Sequence, residues 1–171
     1  MDYKQFRSDL IWAAIWVSIA GSILHFVYDW SGQNWLVGFF GATNESTWEH
    51  MKILFWPMLV AAVYLILKWK AFFPGVEAAM LVGIKAAIWH IPTFFYTYQG
   101  ILGYGIMWID IAIFYISIVL AVCIILHMMK YLSGKDWGFI NVLLRITAVM
   151  EVFAFLWFTY RPPSLGIFTQ L

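Results

Sequence analysis

The chain has a single cysteine, Cys123, and it falls inside an apolar run. An intrachain disulfide and a Cys-rich metal site are therefore both excluded. Charge is scarce as well: Asp, Glu, Lys and Arg make up 11% of the 171 residues, against 64% hydrophobic. Soluble domains hold about half apolar residues, and a mean hydropathy of +0.82 lies far outside their range. The few basic residues are scattered, so no patch is free to hold nucleic acid and no such partner is expected. Polar linkers and internal repeats are missing too, which leaves one domain over 1–171 and no soluble module.

What fills the chain instead is five apolar stretches, each near the roughly 20 residues a helix needs to cross a bilayer. They predict helices over about 10–30, 47–68, 75–97, 104–129 and 137–160. The fold class that follows is an all-α integral membrane protein, a bundle of five transmembrane helices. A polar start followed by an apolar run has the order of a signal peptide. His25 and Asp29 near the end of that run, with no small-residue cleavage pattern after it, argue for a retained first helix. Asn34 to Ala42, NWLVGFFGA, is apolar but too short to span, so a re-entrant or interfacial segment is expected between the first two spans.

Lys4, Arg7, Lys68, Lys70, Lys130 and Lys135 all flank one side of such a bundle, whereas only Lys52 and Arg161 lie near the other. The positive-inside rule then puts the protein in the cell membrane with its N-terminus cytoplasmic and its C-terminus outside.

Against this apolar background TNESTWEH, positions 43–50, is conspicuous. Part of it has a local explanation. Ser46 and Glu49 form a capping box, in which the Ser46 hydroxyl accepts from the amide of residue 49 and Glu49 reaches back to the amide of residue 46. That leaves Glu45 and His50 unexplained, with Lys52 close by to relieve the two acids. The first span adds a polar stripe, Ser18, Ser22, His25 and Asp29, at spacings of four, three and four on one helix face. Pro57 is expected to kink the second span.

An ionisable group at the bilayer centre costs at least about 2.5–3.5 kcal/mol on insertion scales. Yet His25, Asp29, Asn44, Glu45, Glu49, His50, His90, Asp110 and Glu151 all fall at the outer end or in the outer half. Lys85 lies deep in the third span and needs a carboxylate, with Asp110 and Glu151 the candidates. In the inner half Arg145 is the only comparable group. The expectation is a hydrated, acidic cavity opening outward. Its histidines and carboxylates match the nitrogen and oxygen donors of zinc and similar divalent ions. On this reading His25, Asp29, His50 and His90 are candidate metal ligands and Glu45 and Glu49 candidate catalytic bases. Asn44, Lys85, Asp110 and Glu151 are the supporting polar network.

The segment HFVYDWSGQNWLVGFFGATNESTWEHMKILFWPM, positions 25–58, resembles an uncharacterised family of small multi-pass bacterial membrane proteins. Its members carry a His-aromatic-Asp-Trp-Ser-Gly segment and then Asn-Glu-Ser-x-Trp-Glu-His-x-Lys. Pro162-Pro163 followed by Leu-Gly-Ile-Phe is similar to that family's C-terminal segment. The resemblance implies that the two motif segments form one module, and it implies no activity.

Four functions remain open, the fourth and plainest being an accessory subunit that packs against a larger membrane partner and is unstable when expressed alone. The first is a metal-dependent hydrolase or transferase acting on a lipid or lipid-linked substrate from the outer face, with a divalent ion such as zinc as cofactor. It is similar, in general arrangement only, to a seven-helix superfamily that contains ceramide hydrolases. The second is a cation or proton transporter using the acidic cavity, with Lys85 and its carboxylate as a coupling element. The third is a haem-binding electron carrier with His25 and His90 as axial ligands. Expected partners are the bilayer, a lipid-like substrate, and either further copies or a larger membrane protein.

Overall fold

In a computed structural model, which describes residues 3–132, 134–135 and 137–169, the chain forms six α-helices. They are α1 (Tyr3–Trp30), α2 (Trp35–Gly38), α3 (Thr47–Trp69), α4 (Val76–Leu102), α5 (Met107–Leu132) and α6 (Gly138–Tyr160). A short 3-10 turn, Gly166–Phe168, follows α6. All but α2 are long and apolar enough to cross a membrane.

Burial rather than hydropathy separates these helices. The central pair is α3 and α4, whose buried faces include Leu54, Phe55, Leu65, Trp69, Ala79, Ala87 and Ile88. The small residues Ala79, Ala87 and Ala121 let backbones approach closely, as packing in lipid requires. α1 packs on α3 and α5, and α5 packs on α4. α6 lies along α4 and reaches α3 through aromatic contacts: Phe155 sits against both Trp48 and Phe55, and Phe168 closes over Trp48 from the 3-10 turn.

α1 begins well before the position expected from its apolar run. The reason is Phe6, fully buried against Trp69 and Phe73, which draws the polar first turns into the fold. At the same end Asp9 accepts from Trp69 Nε1 at 2.9 Å and pairs with Lys68 at 2.6 Å. Glu77, in the first turn of α4, is held by Arg145 of α6 and by Lys70 at 3.1 Å. This corrects the expectation that Arg145 stands alone in its half of the bundle. Both ends of the molecule carry carboxylates, and at this end, among the described residues, Asp9 and Glu77 each have a cation against them.

Pro57 lies inside α3 and cannot donate to the carbonyl of Ile53. Gly21 of α1 packs against that same carbonyl: a Cβ at position 21 would lie 3.3 Å from Ile53 O and 2.6 Å from Phe114 Cζ. The close approach this glycine allows brings α1 onto α3 one turn below His25.

Candidate metal centre

The segment that carries the candidate site is pinned by a buried ion pair. Glu49 and Lys52 meet at 2.6 Å with side chains 2% and 0% exposed. Lys52 Nζ also donates to Gly38 O at 2.7 Å and to Thr159 Oγ1 at 3.0 Å, so one ammonium joins the α2 loop, α3 and α6. The expected capping box forms by half. Ser46 caps α3 and its hydroxyl accepts from the Glu49 amide at 3.4 Å. The Ser46 amide, however, donates to Asn44 Oδ1 at 2.9 Å. With that amide taken and Lys52 holding its carboxylate, Glu49 turns to Thr43, accepting from the backbone N–H at 2.8 Å and the hydroxyl at 3.1 Å.

The same loop docks on α1. Ala42 N–H donates to Leu24 O at 3.1 Å, and a Cβ on Gly41 would come within 3.1 Å of that carbonyl. This contact is one residue from His25, and three residues further along the loop is Glu45.

The result is a convergence of three side chains. His25 Nε2 lies 3.5 Å and His50 Nε2 3.6 Å from the same oxygen, Glu45 Oε2. Among the described residues, His25, Glu45 and His50 form the group of ligand-type side chains whose donor atoms all lie within 4.8 Å of one another. The imidazoles are 28% and 31% exposed and the carboxylate 66%, so the site is walled by the helices and open on one side.

Hydrogen bonding fixes the chemistry of one wall. His50 Nδ1 lies 2.9 Å from Ser46 O. A carbonyl only accepts, so Nδ1 carries a proton, and in the neutral form of the ring Nε2 is a bare lone pair that faces Glu45. A lone pair and a carboxylate repel unless a proton or a cation lies between them. At 3.5 and 3.6 Å the contacts exceed the usual 2.7–3.2 Å of a direct N–H···O bond. They match the edge of a tetrahedron with metal–ligand bonds of about 2.0–2.2 Å, which is about 3.3–3.6 Å. The Nδ1–H to carbonyl bond of His50 is the outer-shell contact that commonly orients a ligating histidine. His25 has no counterpart: its Nδ1 is buried without a hydrogen-bond partner among the described residues.

The other residues picked out from the sequence are distributed elsewhere. Asp29 is exposed at the end of α1 and outside the three-residue group. His90 is also outside it, with Nδ1 2.8 Å from Ser117 Oγ, which itself donates to Ile113 O. Asp110 accepts from the Tyr98 hydroxyl, and Tyr98 in turn accepts from Ile106 N–H. Lys85 takes Glu151 as its carboxylate, at 2.8 Å between α4 and α6. The single acidic cavity expected from these residues thus resolves into separate contacts: Lys52 offsets Glu49, Lys85 offsets Glu151, and Tyr98 binds Asp110. Asn44 serves the loop, accepting from Ser46 N–H.

A family model, described as a family of unknown function (DUF6512), matches residues 1–171. The chain belongs to that family. No curated protein and no solved structure matches it.

Membership in DUF6512 spans the whole bundle, so the TNESTWEH loop and the helices around it belong to one family unit. Sequence reasoning about this DUF6512 chain passed over Glu77. A signal for it existed: Arg145 and Lys70 need an acid at their own depth, and an acidic residue in the first turn of α4 is favoured by the helix dipole.

Proposed function

We propose that the protein is a membrane-embedded, metal-dependent hydrolase or transferase that acts on a lipid or lipid-linked substrate. The observation that carries this reading is the convergence of His25 Nε2 and His50 Nε2 on Glu45 Oε2 at 3.5 and 3.6 Å, with His50 Nδ1 held by Ser46 O so that Nε2 faces the carboxylate. Two imidazoles and a carboxylate supply three ligands to a divalent ion such as zinc and leave a position open, as catalytic sites do. An ion held there would supply Lewis-acid chemistry, polarising a substrate oxygen and lowering the pKa of a bound water toward about 7.

Glu45 has two parts in this scheme. Oε2 faces the imidazoles, and Oε1 is free of them and would serve as the proton acceptor. Glu49 is assigned to the clamp with Lys52 and Thr43 and not to proton transfer. The Lys and Arg distribution supports a cell-membrane protein with a cytoplasmic N-terminus and the triad facing out. Trp35 and Leu36 of α2, both exposed, support an interfacial position for Asn34–Ala42. In proteoliposomes stripped with chelator, zinc is expected to restore turnover of a fluorescent phospholipid, and Glu45→Ala to abolish it. Turnover that ignores both chelation and Glu45→Ala sinks the reading.

The second reading, a cation or proton transporter, rests on the Lys85–Glu151 ion pair between α4 and α6, at 2.8 Å and partly buried. Proton or cation flux into liposomes that disappears with Glu151→Gln, and is untouched by Glu45→Ala, favours it.

A further inference from the structure

An apolar groove of about 280 Å³ runs between α1 and α5, with Ile11, Ile15 and Ser18 on one wall and Ile118, Val119 and Val122 on the other. Its direction is set by helical register. Ile11, Ser18 and His25 recur every seven residues, so they lie along nearly one line of α1. Ser18 and His25 are separated by about 10 Å of helix rise. Between them the Ser22 hydroxyl meets the Tyr115 hydroxyl at 3.0 Å, bridging α1 to α5. Tyr115 is one helical turn from Val119 on the groove side of α5.

Polarity therefore changes in a fixed order along this face: apolar walls, a pair of hydroxyls, then two imidazoles and a carboxylate. An acylated lipid changes polarity in the same order, from chain to ester or amide linkage to headgroup. From this match we infer that the groove seats one acyl chain of the substrate. The linkage region then lies at Ser22 and Tyr115, and the polar group reaches Glu45. The inference rests on the function proposed above and names its substrate class, a lipid carrying a fatty acyl chain. The outer face of α6, with Phe139, Val142, Ile146 and Met150 exposed, supplies an internal control. It is apolar and accessible, and it has no ionisable group of the triad at its end.

The test uses the full chain in nanodiscs containing phosphatidylcholine with a diazirine at mid-chain, followed by mass spectrometry of the labelled peptides. Label on α1 and α5 is expected to exceed label on the α6 outer face severalfold. Val119→Trp, which fills the groove from an exposed position, is expected to remove that excess, and Ser18→Leu to reduce it, both with the metal content of the parent protein. Label spread evenly over α1, α5 and α6 means ordinary annular lipid and overturns the proposal. So does an excess that survives both substitutions. The two readings fail separately: a labelled groove in a protein that binds no metal overturns the metal reading and leaves the acyl seat standing.

Discussion

Glu45 and Glu49 stand four residues apart in one motif and occupy opposite environments. Glu49 is buried, held by the Lys52 ammonium and two donors from Thr43. Glu45 is 66% exposed and faces two imidazoles, with no Lys or Arg paired to it among the described residues. The difference shows how a fold that can ill afford charge separates two uses of it. A carboxylate with a permanent cation holds elements together, and one whose neighbours are imidazoles is, on the function proposed above, the one that receives a charge from outside. Among the described residues, the N-terminal end of the bundle uses the first arrangement, in Asp9–Lys68 and in Glu77 with Lys70 and Arg145.

Breaking the clamp is expected to have the largest effect on stability. Glu49→Ala leaves the Lys52 ammonium buried without its counter-charge, and loss of one partner of a buried pair costs about 3–5 kcal/mol. Thermal unfolding in detergent checks this, and a midpoint like that of the parent protein would remove the clamp's structural role. The α1–α3 contact comes next. Gly21→Leu drives a side chain into Phe114 and the Ile53 carbonyl, with an expected loss of about 1–3 kcal/mol. Metal affinity is expected to weaken with it, because His25 shifts relative to the loop. Ser46→Ala removes the α3 cap for about 1 kcal/mol. It leaves metal binding intact, since His50 is oriented by the Ser46 backbone carbonyl and not by the hydroxyl. Smallest on this scale is Glu45→Ala, expected to stay within about 0.5 kcal/mol of the metal-free parent because the side chain is exposed. The ordering of the two glutamates is what sharpens the comparison: the one that matters most for folding matters least directly for the ion.

Much of this was legible in the sequence, for stated reasons. Five spans followed from the length and hydropathy of the runs, and the start of α3 from Ser46 and its neighbours. His25, Glu45 and His50 were all among the candidates, because ionisable groups in an apolar chain are conspicuous. Their selection from the larger set was not legible. Asp29 shares a helix face with His25, and His90 lies in the same half of the bundle, but rotation of one helix against another leaves no trace in spacing. Lys85 illustrates the same limit. Its depth demanded a carboxylate, and both Asp110 and Glu151 satisfied depth; contact of α4 with α6 on that face decided for Glu151. The return of Glu49 to Thr43 instead of Ser46 depended on Asn44 taking the Ser46 amide first, a competition that the capping-box pattern does not encode.

The central claim is that His25, Glu45 and His50 hold a divalent ion while Glu49 only holds the loop. Elemental analysis of purified protein, with no metal added after extraction, tests it most directly. The expected result is a stoichiometric transition metal, zinc foremost, in the parent protein. It should be lost in Glu45→Ala, which still unfolds at the midpoint of the metal-free parent protein. A parent protein that is metal-free and stays so after dialysis against zinc, or a Glu45→Ala variant with the parent's full complement, contradicts it.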